Sequence, residues 1–101
     1  MKHDSLKGKA LESISSIPRR FQHVSKELRS DRDVALVAVR ANGLMLEYVD
    51  DKLKGDRGVV EEAIRNDWRA WHHVPVELKN DKSLQKLLQK QKEKRKETVG
   101  V

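Results

Sequence analysis

The sequence predicts an all-α protein built from short helical hairpins, and three observations carry that reading. Leu28, Leu53 and Leu78 are spaced 25 residues apart. A motif travels with them: Val24-Ser25-Lys26-Glu27-Leu28-Arg29-Ser30-Asp31 returns as Val49-Asp50-Asp51-Lys52-Leu53-Lys54-Gly55-Asp56 and as Val74-Pro75-Val76-Glu77-Leu78-Lys79-Asn80-Asp81. The aspartate that closes each copy precedes apolar residues at helical spacing (Val34, Ala38, Val39; Val59, Ala63, Ile64), as a helix N-cap does. A unit of this length buries its apolar face only by stacking on neighbours, so the expected architecture is a small solenoid or bundle.

Residues 5–17 stand where a preceding long helix would stand, with Leu6, Leu11, Ile14 and Ile17 forming one apolar side, and read as an N-terminal cap helix. Three copies follow, 18–42, 43–67 and 68–92, and residues 93–101 form a basic tail. Each copy opens with a short helix: Arg19 to Val24, Leu44 to Val49, Arg69 to Val74. Ser25, Asp50 and Pro75 end it, since serine and aspartate cap helices and proline is tolerated only in a first turn. A tight turn then carries the leucine, and a longer helix starts at Asp31, Asp56 or Asp81. Asn42-Gly43 reads as a left-handed stop for the first long helix, and Asp67-Trp68 as a weaker one for the second. No stop follows Gln89, so the last helix is expected to run on as a solvated tail that frays before Gly100.

Helices this short are marginal alone, so stability has to come from packing between copies. The expected core holds Phe21, Leu46 and Trp71; Val24, Val49 and Val74; Leu28, Leu53 and Leu78; Val34, Val59 and Leu84; and Ala38, Ala63 and Leu88.

With 101 residues, the chain reads as a single domain, 1–101, that buries roughly 65% of the surface its unfolded form exposes. Apolar residues make up 37% and charged residues 38%, but the apolar positions are periodic and the charges mixed in sign, which favours a folded, soluble chain over disorder. No apolar run approaches the roughly 18 residues of a membrane span. The start, Met1-Lys2-His3-Asp4-Ser5, lacks the apolar segment of a signal peptide. Without cysteine there are no disulfides, thiolate metal sites or cysteine nucleophile, and the expected location is cytoplasmic. The net charge of +6 is uneven: residues 79–101 hold eight basic side chains against three acidic. The basic character therefore belongs to the C-terminal end.

The strings Asp31-Arg32-Asp33-Val34-Ala35-Leu36-Val37-Ala38-Val39-Arg40-Ala41-Asn42-Gly43 and Leu46-Glu47-Tyr48-Val49-Asp50-Asp51-Lys52-Leu53-Lys54-Gly55-Asp56 resemble a short helical repeat catalogued as a domain of unknown function, family 4116. The resemblance covers about residues 21–88 and weakens around Trp68-Arg69-Ala70-Trp71-His72. It implies occurrence in bacteria and viruses, often in tandem, and offers no catalytic residue to transfer.

Candidate sites are few. Basic residues recur in three columns: Arg29, Lys54, Lys79; Arg32, Arg57, Lys82; and Arg40, Arg65, Lys90. Aligned in space, they could track a phosphate backbone or an acidic protein face, or they could be ordinary solvated helix-end residues. Trp71 shares the position of Phe21 and Leu46 and reads as core. Trp68 stands where the first long helix ends in Gly43, so its volume is extra, and beside Arg69 and His72 it is a candidate contact residue. His72 and His73 are adjacent, and neighbours on a helix diverge by about 100°, which makes a poor metal pair. The tail adds Lys90, Lys92, Lys94, Arg95 and Lys96.

No nucleophile elbow, phosphate-binding glycine loop or metal-ligand spacing is present, and no cofactor is expected. The reading is a noncatalytic protein-interaction module, an adaptor or inhibitor of a larger complex. The alternative is a nucleic-acid-associated protein using the basic columns, Arg32, Arg57, Arg40 and Arg65 among them, together with the tail. Asp56→Ala removes an N-cap acceptor from a central helix and should lower unfolding free energy by about 1 kcal/mol in denaturant melts; an unchanged midpoint would put the helix start elsewhere.

Overall fold

A computed structural model describes residues 2–100 of the chain, with side chains described over 6–94. The elements are α1 (Lys2–Ser16), the 3-10 helix η1 (Pro18–His23), α2 (Lys26–Arg29), α3 (Arg32–Ala41), η2 (Gly43–Tyr48), α4 (Asp51–Lys54), α5 (Arg57–Asn66), η3 (Trp68–His73), α6 (Val76–Lys79) and α7 (Lys82–Gly100). Among the described residues there is no strand, and the fold is all-α.

The three long helices begin at the expected caps. Asp31 accepts from the N–H groups of Asp33 (2.9 Å) and Val34 (3.2 Å), Asp56 from Val59 (3.2 Å) and Asp81 from Leu84 (3.1 Å). The shorter elements differ from expectation. The opening helix of each segment is 3-10, and the turn bearing the leucine is a one-turn α-helix. Ser25 caps α2 by accepting from Leu28 N–H (3.2 Å), and Asp50 caps α4 by accepting from Lys52 N–H (3.2 Å).

Asn42-Gly43 is not a left-handed stop, for no described residue has a positive φ. Asn42 is extended (φ −153°, ψ 104°), and its side chain accepts from Leu44 N–H at 3.0 Å, so it caps the element that follows rather than the helix before. Asp67 does the same at φ −152°, ψ 108°, accepting from Arg69 N–H at 3.0 Å, so the second boundary is no weaker than the first. Glycine is required at 43 because a Cβ there would run into the Ala63 carbonyl oxygen. Asn66 closes the same junction: it accepts from Gly43 N–H (2.6 Å) and donates to the Arg40 carbonyl (3.0 Å).

The long helices lie side by side, α1 on α3, α3 on α5 and α5 on α7, while η1 meets η2 and η2 meets η3 in a second layer. The core lies between the layers. Phe21, Leu46, Val34, Val59, Leu84, Ala38 and Ala63 are fully buried, and Val49, Val74 and Leu88 nearly so. Trp71, Val24, Leu28, Leu53 and Leu78 are only half-buried at its edge. The leucines sit on helices of four residues, too short to carry them to the centre.

Burial on the long helices follows a rule. In α3 and α5 four positions are sealed: Val34, Ala35, Ala38, Val39, and their counterparts Val59, Val60, Ala63, Ile64. In α1 the second and fourth stay apolar, as Ala10 and Ile14, while the first and third become Lys9 and Ser13. In α7 the first and third stay apolar, as Leu84 and Leu88, while the second and fourth become exposed Gln85 and Gln89. Since α1 has α3 as its neighbour and α7 has α5, the second and fourth positions face the helix after, and the first and third the helix before.

Two glycines separate backbone crowding from side-chain crowding. Gly43→Ala forces the η2 backbone away from α5 and should cost about 1–3 kcal/mol, the range for overpacking. At Gly58 a Cβ meets side chains rather than backbone, the Arg32 guanidinium and the Asp56 carboxylate, so Gly58→Ala trades gained helix propensity against a displaced ion pair and should stay within about 1 kcal/mol of the parent. Thermal or denaturant melts of the pair check this, and equal losses would contradict the assignment.

Candidate functional site

The column of Arg32 and Arg57 is used inside the fold. Lys7 Nζ lies 3.1 Å from Asp31 Oδ2 and 2.9 Å from Asp33 Oδ2, Arg32 Nε donates to Asp56 Oδ2 at 2.7 Å, and Arg57 donates to Asp81 and, at 3.0 Å, to Glu61. Each cation thus bonds the cap aspartate of the next long helix. Two of that column's three side chains therefore already face carboxylates, while Lys82, the third, is exposed. Arg40 lies 3.6 Å from Glu62, again across α3 and α5. Arg65 and Lys90 are exposed and, among the described residues, in no ion pair.

The aromatic candidates come together. Trp68, Arg69, Trp71 and His72 of η3 line a cleft of about 350 Å³ that is closed by Lys79 of α6 and by Leu88 and Lys92 of α7. Its volume is at the lower end of those that take small ligands. Position 68 tolerates tryptophan because its surroundings differ from those of Gly43. Twenty-five residues on from Ala63 and Asp67, which crowd Gly43, stand Leu88 and Lys92, on a helix that continues to Gly100 instead of bending away. The Lys92 ammonium lies 5.1 Å from the Trp68 ring centroid, within cation–π reach. Trp68 Nε1 is buried and has no hydrogen-bond partner, an arrangement that leaves a donor unsatisfied in the free protein.

Arg69 is clamped on Asp67 by bonds of 3.0 and 2.6 Å, so it frames the cleft with its charge already matched. His72 is exposed at the rim. His73 lies off the cleft and approaches Glu47 at 3.8 Å; burial holds its pKa below the usual histidine value despite the pull of Glu47. Among the described residues no three His, Asp or Glu side chains converge as a metal site would require. Of the tail, Lys90, Lys92 and Lys94 belong to α7, while the side chains of Arg95 and Lys96 lie outside the described residues. Sequence reasoning found Trp68, Arg69 and His72 but missed Lys79 and Leu88 as their companions. The available signal was that Leu88 and Lys92 depart from Ala63 and Asp67 just where Trp68 departs from Gly43.

The ion pairs set an acid limit. Asp56 titrates below the ordinary carboxylate value, chiefly because of the Arg32 hydrogen bond, and Asp81 does so chiefly because of the Leu84 N–H. A depressed carboxylate contributes stability that is complete above its unfolded pKa of about 3.9 and lost as pH falls through the lower folded value. His73 acts earlier: its folded pKa is depressed too, but for a base that means the unfolded chain takes up the proton more readily, so stability declines as pH drops below about 6.5. Denaturant midpoints should therefore fall in two steps. The first should vanish in His73→Gln and the second shrink in Arg32→Gln; a flat profile from pH 7 to 3 would contradict both.

Residues 7–54 match the family model described as "Domain of unknown function (DUF4116)". The match begins within α1 and ends with α4, so it extends further toward the N-terminus than the resemblance read over 21–88 and leaves the cleft outside. No curated protein and no solved structure matches the chain. No helix among the described residues is long and apolar enough to cross a membrane.

Proposed function

We propose that the chain is a noncatalytic protein-interaction module of the cytoplasm, made of three copies of a 25-residue helical unit stacked as a short solenoid, that engages a protein partner through the Trp68 cleft as an adaptor or inhibitor of a larger complex. The observation that carries the binding reading is the cleft itself: a half-buried indole with an unpartnered N–H, flanked by a second tryptophan and by lysines. Tryptophan in such a setting is the residue type most often found at the energetic centre of protein interfaces.

The solenoid reading draws support from element order and burial. The series of 3-10 helix, one-turn helix and long helix starts at residues 18, 43 and 68, and each long helix packs on the one before. Lys9 and Ser13 on α1, and Gln85 and Gln89 on α7, make polar the two sides of the stack that face no further helix, as terminal caps of repeat arrays do. A partner would then bind along the stack rather than by extending it. Nucleic-acid binding is the weaker reading. Arg32 and Arg57 are paired with aspartates, which interrupts one of the basic columns that such a role would use.

Affinity capture with the full chain as bait, with and without nuclease, tests the reading. A specific protein should be retained after nuclease treatment and be at least about tenfold depleted with Trp68→Ala, a loss of the size expected for a hot-spot truncation. Release of all bound protein by nuclease would favour the nucleic-acid alternative.

A further inference from the structure

Resting on the proposed role of the cleft, we infer that its occupant is an acidic segment of the partner protein, in which an oxygen acceptor meets the Trp68 indole N–H and carboxylates pair with Lys79 and Lys92. Three observations on the lining point to that chemistry. First, the cleft is lined by three cationic side chains and by no carboxylate, whereas elsewhere between the long helices Lys7, Arg32 and Arg57 all reach an aspartate. Arg69 is matched by Asp67, but Lys79 is in no ion pair among the described residues, and Lys92 rests on an aromatic face. Positive charge is therefore left over in this cleft, and it is complementary to an anion.

Second, the unpartnered group on Trp68, closed to solvent in the free chain, is a donor. Trp68 Nε1 can only give a hydrogen bond, so the missing partner is an acceptor: a backbone carbonyl or a carboxylate oxygen. Third, one face of the Trp68 ring is already covered. Lys92 lies over its ring, so that face is not free for the base stacking by which single-stranded nucleic acids bind aromatic platforms. Apolar surface from Trp71 and Leu88 beside the lysines suits a peptide whose acidic residues alternate with aliphatic ones.

Both tryptophans of the chain line the cleft, so intrinsic fluorescence reports on it directly. The full chain is titrated with capped peptides of equal length repeating Asp-Glu-Leu, Ser-Gln-Leu or Lys-Lys-Leu, and with oligothymidylate. The Asp-Glu-Leu peptide should shift the emission saturably, bind at least about tenfold tighter than Ser-Gln-Leu, and weaken as salt rises. Lys79→Gln with Lys92→Gln should erase that preference, and Lys79→Glu with Lys92→Glu should transfer it to Lys-Lys-Leu. This reversal would not follow if the lysines were merely structural. Circular dichroism melts confirm that the variants fold.

Equal binding of the acidic and neutral peptides overturns the acidic assignment while leaving the cleft as a binding site. A nuclease-resistant, Trp68-dependent partner together with no response to the acidic peptide overturns it as well, and again spares the proposed function. Tighter, lysine-dependent binding of oligothymidylate overturns both in favour of nucleic acid.

Discussion

The fold depends on one carboxylate doing two jobs at the start of each long helix. In Asp31, Asp56 and Asp81 one oxygen accepts from the backbone N–H groups of its own helix, and the other faces a cation from the preceding segment: Lys7, Arg32 and Arg57 in turn. A ten-residue helix such as α3 or α5 is too short to persist alone. The same aspartate that makes helix formation favourable also fixes where the previous segment lies against it. Local folding and stacking are thereby coupled through single side chains, and each long helix is registered against its neighbour at its N-terminal end.

The other end of the α3–α5 pair is registered by backbone. η2 approaches α5 so closely that only glycine fits at 43, and Asn66 bonds both Gly43 and Arg40 across the junction. With the cap ion pairs at one end and the Asn66 bridge at the other, α3 and α5 are held along their length. The apolar residues between them, Val39 and Val59 among them, then need only fill the space.

Much of this was legible in the sequence, and the misreadings have physical causes. The caps were legible because aspartate before an apolar helical pattern has one common use. Asn42-Gly43 misled because the same dipeptide serves a left-handed stop and a close backbone approach, and only the chain across from it, at Ala63, decides between them. In the column of Arg32 and Arg57 like charges were compared down the column, whereas the bonding runs on a diagonal, from Arg32 to Asp56 and from Arg57 to Asp81. Lys7 shares that diagonal with Asp31, so the pairing was present in the sequence. Leu28, Leu53 and Leu78 were read as core but lie at its edge, because recurrence in a sequence says nothing of depth. The cleft was half legible: Trp68 stood out as unneeded volume, while its lysines came from elements whose approach only the fold reveals.

The last segment differs from the others where the packing duty is lightest. Asp67 and Ala63 confine position 43, but their counterparts at the end of the chain are Lys92 and Leu88, and the space that the tighter junction denies to a side chain is filled at position 68 by an indole. The exchange of glycine for tryptophan, alanine for leucine and aspartate for lysine at one junction is a concerted change. In this fold the indole packs against α7, and the Lys92 ammonium lies over its ring. Packing alone would have been served by a fully satisfied side chain there. The junction also leaves the indole N–H without an acceptor beside lysines in no described ion pair, and on these two features the proposed binding role rests.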